Sequence, residues 1–149
     1  MKKLSNEKAL DKANEEKFEQ FLFHCDDYLE NIIERAKNQG YIFDYSFETL
    51  KDIENYINKS NTTIEDDDYN DLSAYLGEVV RLKYGGKWAC CLDKKNNSLY
   101  YGFPVIDGHS AFDVVFSPFH LIKAYILRKK PNLFSEAIEN QVNPKQINW

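Results

Sequence analysis

The sequence lacks both a long hydrophobic run and a rich set of cysteines. None of its windows approaches the roughly 18 apolar residues that a bilayer span requires, and the basic start Met-Lys-Lys-Leu-Ser is not followed by the apolar core of a signal peptide. The cysteines are Cys25, Cys90 and Cys91, an odd set with one adjacent pair that makes a poor disulfide framework. Together these features predict a cytoplasmic protein with no membrane span and no secretion signal.

An excess of positive charge is also missing. The chain has 24 acidic and 19 basic residues, which gives a net charge of −5. Nucleic acids and anionic membranes favour basic surfaces, so neither is an expected partner, and a basic partner is favoured. With 43% hydrophobic and 15% aromatic residues the chain is too apolar for disorder. We predict a single domain over residues 1–149, with a helical N-terminal part at 1–60 and a polar tail at 141–149.

Strong catalytic and metal-binding motifs are absent as well. A nucleophilic thiol needs an imidazole to take its proton and a carboxylate to orient that ring, and the sequence offers a weak set of candidates. The cysteines and histidines lack the spacings of a zinc site, so no metal or cofactor is predicted. If the adjacent cysteines lie on a strand, one is buried and the other half-exposed. The candidate triad residues are Cys90, Cys91, His109, His120, Asp107 and Asp113.

Helical periodicity dominates the first 60 residues. The first helix is expected to end near Gly40, and Ser46 is predicted to cap a second helix that ends near Ser60. The apolar stripe of the first helix comprises Leu10, Ala13, Phe18, Phe21, Leu22, Cys25, Leu29, Ile32, Ile33 and Ala36, and the inner face of the second comprises Leu50, Ile53, Tyr56 and Ile57.

Residues 69–88 predict a helix joined to a strand by a tight corner. Gly85 and Gly86 stand where the chain needs positive φ to leave the helix, and Trp88 opens an extended run. Gly77 is expected to allow close approach of the helix to the sheet, and Glu78 is either a surface acid or a semi-buried partner of Arg81. The buried face of this helix comprises Tyr69, Leu72, Leu76, Val79 and Val80.

Three extended runs follow the corner. Lys87–Asp93 and Ser98–Phe103 predict a hairpin, and Ala111–Phe116 predicts a third strand beside it. Ser117-Pro118 is typical of a helix start, and a last helix is expected from Asn132 through residue 140. The predicted fold is therefore α+β, with N-terminal helices, a three-stranded antiparallel meander and C-terminal helices packed on the sheet.

One stretch of the chain resembles a known group of proteins. It consists of Tyr75-Leu76-Gly77-Glu78-Val79-Val80-Arg81, then Gly85-Gly86-Lys87-Trp88, a hairpin, and Phe116-Ser117-Pro118-Phe119. Over about residues 69–130 the chain resembles small bacterial domains similar to immunity proteins of polymorphic-toxin and contact-dependent competition systems. The resemblance implies a non-enzymatic protein that neutralises a cognate toxin by covering its active site. It assigns no binding residue, because the toxin-facing surface varies among such proteins.

Two groups of residues are predicted to bind a partner. The run Glu65, Asp66, Asp67 and Asp68 suits a basic toxin cleft, since clustered charge speeds association. The same run also fits a solvated helix start and, less well, a cation site, because it lacks the ligand pattern of a calcium loop. Tyr100 and Tyr101 are adjacent, so on a strand one ring would face outward. That ring would either anchor an interface or lie over the rim of its own core.

Two other function classes stay open at this point. The first is a small enzyme that uses the cysteine, histidine and aspartate set, and a deep polar pocket holding those residues would favour it. The second is a regulatory or anti-defence protein that sequesters a ligand in a groove between helix and sheet. A broad acidic and aromatic surface would instead favour the toxin binder.

Overall fold

The computed structural model describes residues 2–95, 98–108 and 115–142. Five helices account for 66% of the described residues, against two short strands. The prediction of a three-stranded meander is therefore wrong, and the fold is mostly helical. In chain order the elements are α1 (Lys2–Asn38), α2 (Thr49–Ser60), α3 (Asp67–Tyr84), β1 (Lys87–Cys90), β2 (Pro104–Asp107), α4 (Pro118–Arg128) and α5 (Leu133–Val142).

Helix α3 forms the centre of the molecule. It packs against α1 and against α4, and it also touches β2. Because neighbours cover it on more than one side, every residue from Asp71 to Gly77 is buried, well beyond the single predicted stripe. Buried residues of all five helices and β2 join in one hydrophobic cluster around it.

Helix α1 is longer than the core it covers. Its 37 residues extend over about 55 Å. The predicted stripe is buried at Phe21, Cys25, Leu29, Ile32 and Ala36, but Leu10 is 51% exposed and Leu22 is 42% exposed. The apolar pattern therefore continues past the packed part of the helix. None of the helices in the described residues is long and apolar enough to cross a membrane.

The predicted N-cap of α2 is wrong by two residues, because Glu48 and not Ser46 is the N-cap residue. The Ser46 N–H donates to the Asp44 carboxylate at 3.0 Å, and the helix begins only at Thr49. A contact distant in sequence holds this turn, because the Tyr75 hydroxyl accepts the Tyr45 N–H at 2.9 Å and lies 2.8 Å from Thr49 Oγ1. The predicted inner face is confirmed, and so is the end of α2 at Ser60.

The two strands pair antiparallel, from Lys87 opposite Asp107 to Cys90 opposite Pro104. The predicted strand Ser98–Phe103 is wrong, because Ser98–Tyr100 is a single 3-10 turn. Pro104 opens β2, a strand position that proline tolerates.

The third predicted strand lies largely outside the described residues, at 111–114. Within the described part, Phe116 forms an isolated antiparallel bridge with Ile106. Ser117 precedes α4 as its N-cap residue and Pro118 is its first residue, as predicted. Helix α4 contacts β2, but α5 packs on α4 and α2. The expectation that both C-terminal helices lie on the sheet therefore holds only for α4.

The corner between α3 and β1 matches its prediction. Gly85 and Gly86 have φ of +86° and +97°. The Trp88 ring lies so close to Gly77 that a Cβ built on the glycine would be 2.2 Å from the ring. Glu78 is the semi-buried partner of Arg81, accepting a hydrogen bond at 2.8 Å from its Nη2 and another at 2.8 Å from the Trp88 indole.

Candidate partner-binding surface

The acidic run lies at the start of α3. Asp66 is the N-cap residue, and Asp67 and Asp68 are in the first turn, where carboxylates are stabilised by the positive end of the helix dipole. Glu65, Asp66 and Asp67 are exposed. The Asp66 carboxylate accepts the Thr63 N–H at 2.8 Å, which fixes the turn before the helix.

Asp68 differs from the other three acids. Its carboxylate lies 2.6 Å from Arg35 Nη2 of α1 and accepts the Tyr56 hydroxyl of α2 at 2.8 Å. The same guanidinium also bonds the buried Asp71. Asp68 therefore joins three helices inside the fold, and the exposed acids of the run are Glu65, Asp66 and Asp67.

The two tyrosines do not lie on a strand. Tyr100 belongs to the 3-10 turn, and its ring meets the His120 ring edge-on with 4.9 Å between centroids. The Tyr101 hydroxyl donates to the Asp11 carboxylate of α1, and Lys94 Nζ lies 4.8 Å from the Tyr101 ring centroid. Both tyrosines are half-buried, so each covers the rim of its own fold while part of it faces solvent.

The acidic run and the tyrosine pair contact different parts of α1. Their partners on that helix, Arg35 and Asp11, are 24 residues apart, which is about 36 Å along the axis. A standard interface covers roughly 800 Å² on each partner and is about 30 Å across. The predicted binding residues are therefore not one compact patch.

A groove lies between these two groups. It has a volume of about 780 Å³, and its wall runs along α1 and reaches the start of α3 and the residues around β2. Burial raises the pKa of Tyr28 in this wall, and the nearby carboxylates of Asp71 and Asp67 raise it further. The lining comprises Ala13, Glu16, Lys17, Phe18, Glu19, Gln20, Phe21, Tyr28, Asn70, Gly102, Phe103, Pro104 and Phe119.

Sequence reasoning missed this groove. Phe18 fits the helical stripe of α1 and was assigned to the core, although it lies at the groove wall and is only half-buried. Phe103 was assigned to a strand, although it follows the 3-10 turn and is 38% exposed. The apolar stripe continues without a break from exposed to buried residues, so no local signal marks the part that lines the groove.

The cysteine and histidine candidates are only partly described. His109 and Asp113 lie outside the described residues. As predicted for an adjacent pair, Cys91 is buried and Cys90 is half-exposed. Both line a cavity of about 180 Å³ together with Asp107, and no histidine is among its described lining residues.

His120 is held by contacts of its own. Its Nδ1 lies 2.6 Å from Ser117 Oγ, and its ring packs against Tyr100 and Phe103. Burial lowers its pKa. The pKa of Cys90 is raised, first by burial and then by the carboxylates of Glu15 and Asp11, which is opposite to what activates a nucleophilic thiol. Histidine, cysteine, aspartate and glutamate form no metal-holding cluster among residues 2–95, 98–108 and 115–142.

No family model, curated protein or solved structure matches the chain.

Proposed function

We propose that this protein is a non-enzymatic, cytoplasmic immunity protein that binds a cognate bacterial toxin and covers its basic active-site surface. The observation that carries the proposal is the exposed acidic group Glu65, Asp66 and Asp67 at the start of α3. These three carboxylates make no ion pair within the described residues. They are therefore available to a basic partner.

Two further properties support a protein partner with positive charge. The net charge of −5 attracts such a partner over a distance comparable to the Debye length. The Asp66 carboxylate is also held in place before binding, since it accepts the Thr63 N–H. A preorganised charged group loses less conformational entropy on association than a flexible one.

The test is surface capture of the toxin encoded next to this gene, at low and at physiological salt, with a co-expression assay for rescue of growth. The double variant Glu65→Gln, Asp67→Asn should slow association several-fold at low salt and weaken its salt dependence, because charged rims act mainly on the on-rate. Asp68 is left intact because its loss would break the contacts with Arg35 and Tyr56.

The matched control is Glu136→Gln, Glu139→Gln on α5, which removes two exposed carboxylates from another helix. Association should then be close to that of the wild type. If the wild-type protein neither binds the toxin nor rescues growth, the proposed function is wrong. If it does both and the two double variants behave alike, the placement of the interface at the start of α3 is wrong.

A further inference from the structure

The groove along α1 has the shape of a peptide site. Its α1 wall extends from Ala13 to Tyr28, a separation of 15 residue steps or about 22 Å along the helix. An extended segment of about seven residues has the same length at roughly 3.3 Å per residue. The volume of about 780 Å³ lies in the range of ligand sites, and the elongation favours a chain over a compact molecule.

The lining of the groove combines aromatic rings with carboxylates. Phe18 and Phe103 are partly exposed lining residues, and the buried rings of Phe119 and Phe21 also line the groove, with 5.6 Å between their centroids. Such rings suit apolar side chains, and partly buried aromatic pockets are where binding energy concentrates at interfaces.

The charged lining residues of the groove favour apolar segments that also carry positive charge. Glu16 and Glu19 are exposed on the α1 wall, against a single basic lining residue, Lys17. A segment carrying lysine or arginine beside its apolar side chains would therefore complement the charge of this wall.

We propose that this groove binds an extended segment of the partner protein in which leucine or aromatic side chains alternate with lysine or arginine. This inference rests on the proposed function, because it assigns to the toxin the segment that anchors it. It also joins the two predicted groups, since Asn70 follows the acidic run and Gly102 follows the tyrosine pair in the groove wall. The acids would then act on the rate of encounter, and the groove on the lifetime of the complex.

The test uses display of random seven-residue peptides on phage, selected against the wild-type protein. Enriched peptides should combine apolar with basic residues, and a fluorescein-labelled synthetic copy should bind the wild type. Phe18→Ser should weaken that binding at least tenfold. Phe23→Ser is the matched control, because Phe23 is on the same helix, is 80% exposed and does not line the groove. The affinity of this variant for the labelled peptide should equal that of the wild type.

A second pair of variants tests the charge. The double variant Glu16→Gln, Glu19→Gln should weaken binding of the labelled peptide about threefold at low salt. The double variant Glu30→Gln, Glu34→Gln on the same helix should leave that binding unchanged. If Phe18→Ser lowers the melting temperature, Phe103→Ser replaces it.

Absence of enrichment, or equal loss in Phe18→Ser and Phe23→Ser, would overturn the inference. Its failure is distinguishable from that of the proposed function. A toxin that binds and is neutralised with unchanged kinetics in Phe18→Ser contradicts the groove alone. A groove that selects basic apolar peptides while the neighbouring toxin does not bind contradicts the toxin assignment alone.

Discussion

Asp71 and Glu78 are two carboxylates of α3, each paired with an arginine, and their pKa values move in opposite directions. Burial raises the pKa of Asp71 to about 6, and the nearby Arg35 only partly offsets this. Burial would also raise the pKa of Glu78, but hydrogen bonds from Arg81 and from the Trp88 indole outweigh it and lower the pKa below its usual value.

The difference comes from how the donors are shared. Arg35 is divided between Asp71 and Asp68, and the negative charge of Asp68 itself raises the pKa of Asp71. Glu78 accepts hydrogen bonds from Nε and Nη2 of Arg81 and from the indole N–H of Trp88. An arginine neighbour alone therefore does not decide the protonation of a buried carboxylate, because the number of donors per carboxylate must also be counted.

The largest expected effect on stability is at the Glu78 end of α3. Trp88→Ala should lower the free energy of unfolding by about 3–5 kcal/mol, the usual range for truncating a large packed aromatic. The substitution removes the packing on Gly77 and the edge contact with Phe21, whose ring centroid lies 5.0 Å away. It also removes one hydrogen bond that Glu78 accepts. Denaturant melts give the value.

Trp88→Phe removes less than Trp88→Ala does, since it keeps one aromatic ring and loses the indole N–H and the second ring, whose atoms lie nearest Gly77. Its cost should therefore be smaller. A loss below about 1 kcal/mol in Trp88→Ala would contradict the importance of the corner.

At the Asp71 end of α3, the free energy of unfolding is expected to change with pH by an amount on the order of 1 kcal/mol. The folded protein binds the Asp71 proton more tightly than the unfolded chain, because the pKa is raised from 3.8 to about 6. This contribution to stability is therefore present at low pH and is lost as the pH rises through about 6. Asp71→Asn should remove this pH dependence. Denaturant melts of both proteins between pH 4 and 8 would measure the difference.

Two variants complete the pH experiment. Glu65→Gln changes an exposed carboxylate just before the same helix and should leave the wild-type profile intact. Glu78→Gln should act with the opposite sign. The pKa of Glu78 is lowered in the folded protein, so its contribution to stability is present above the ordinary pKa of a glutamate and is lost as the pH falls. Identical profiles for Asp71→Asn and the wild type would show that the pKa of Asp71 is not raised.

The smallest expected effect is in thiol chemistry near Glu78. The pKa of Cys25 is raised to about 11, first by burial and then by the charge of Glu78. Its thiolate fraction near pH 8 should be roughly a hundredfold below that of an ordinary thiol, so alkylation followed by mass spectrometry should be slow. Asp71→Asn, at the far end of the contact between α1 and α3, should not change that rate.

The same labelling experiment addresses the enzyme alternative. Cys90 should also react slowly, because its pKa is raised by burial. Rapid labelling of Cys90 that His120→Ala abolishes would instead favour the thiol enzyme over the toxin binder.

Sequence patterns predicted the parts of the fold that local periodicity encodes. The buried faces of α2 and α3 and the glycine corner are where the sequence placed them. The meander was wrong because the aromatic run Ser98–Phe103 fits a strand by composition, but backbone bonds between Cys91 and the Gly102–Phe103 pair close it as a loop. Such bonds depend on residues distant in sequence, which periodicity does not report.

The candidate site was predictable to a smaller extent. The position of the acidic run at a helix start follows from the sequence, but the engagement of Asp68 depends on Arg35, 33 residues earlier. The groove depends on how far α1 extends past the core, and no local pattern gives that. Surface function here is set by the relative placement of helices.

The contact between Gly77 and Trp88 also constrains how this sequence can evolve. A side chain at position 77 would meet the indole at 2.2 Å and Pro118 at 3.1 Å, so an alanine there requires a smaller residue at 88. The indole in turn needs an acceptor, which Glu78 supplies. In related sequences these three positions should therefore change together, with glycine, an acid and tryptophan retained or replaced as a set, whereas the exposed acids before α3 are free to diverge with the partner.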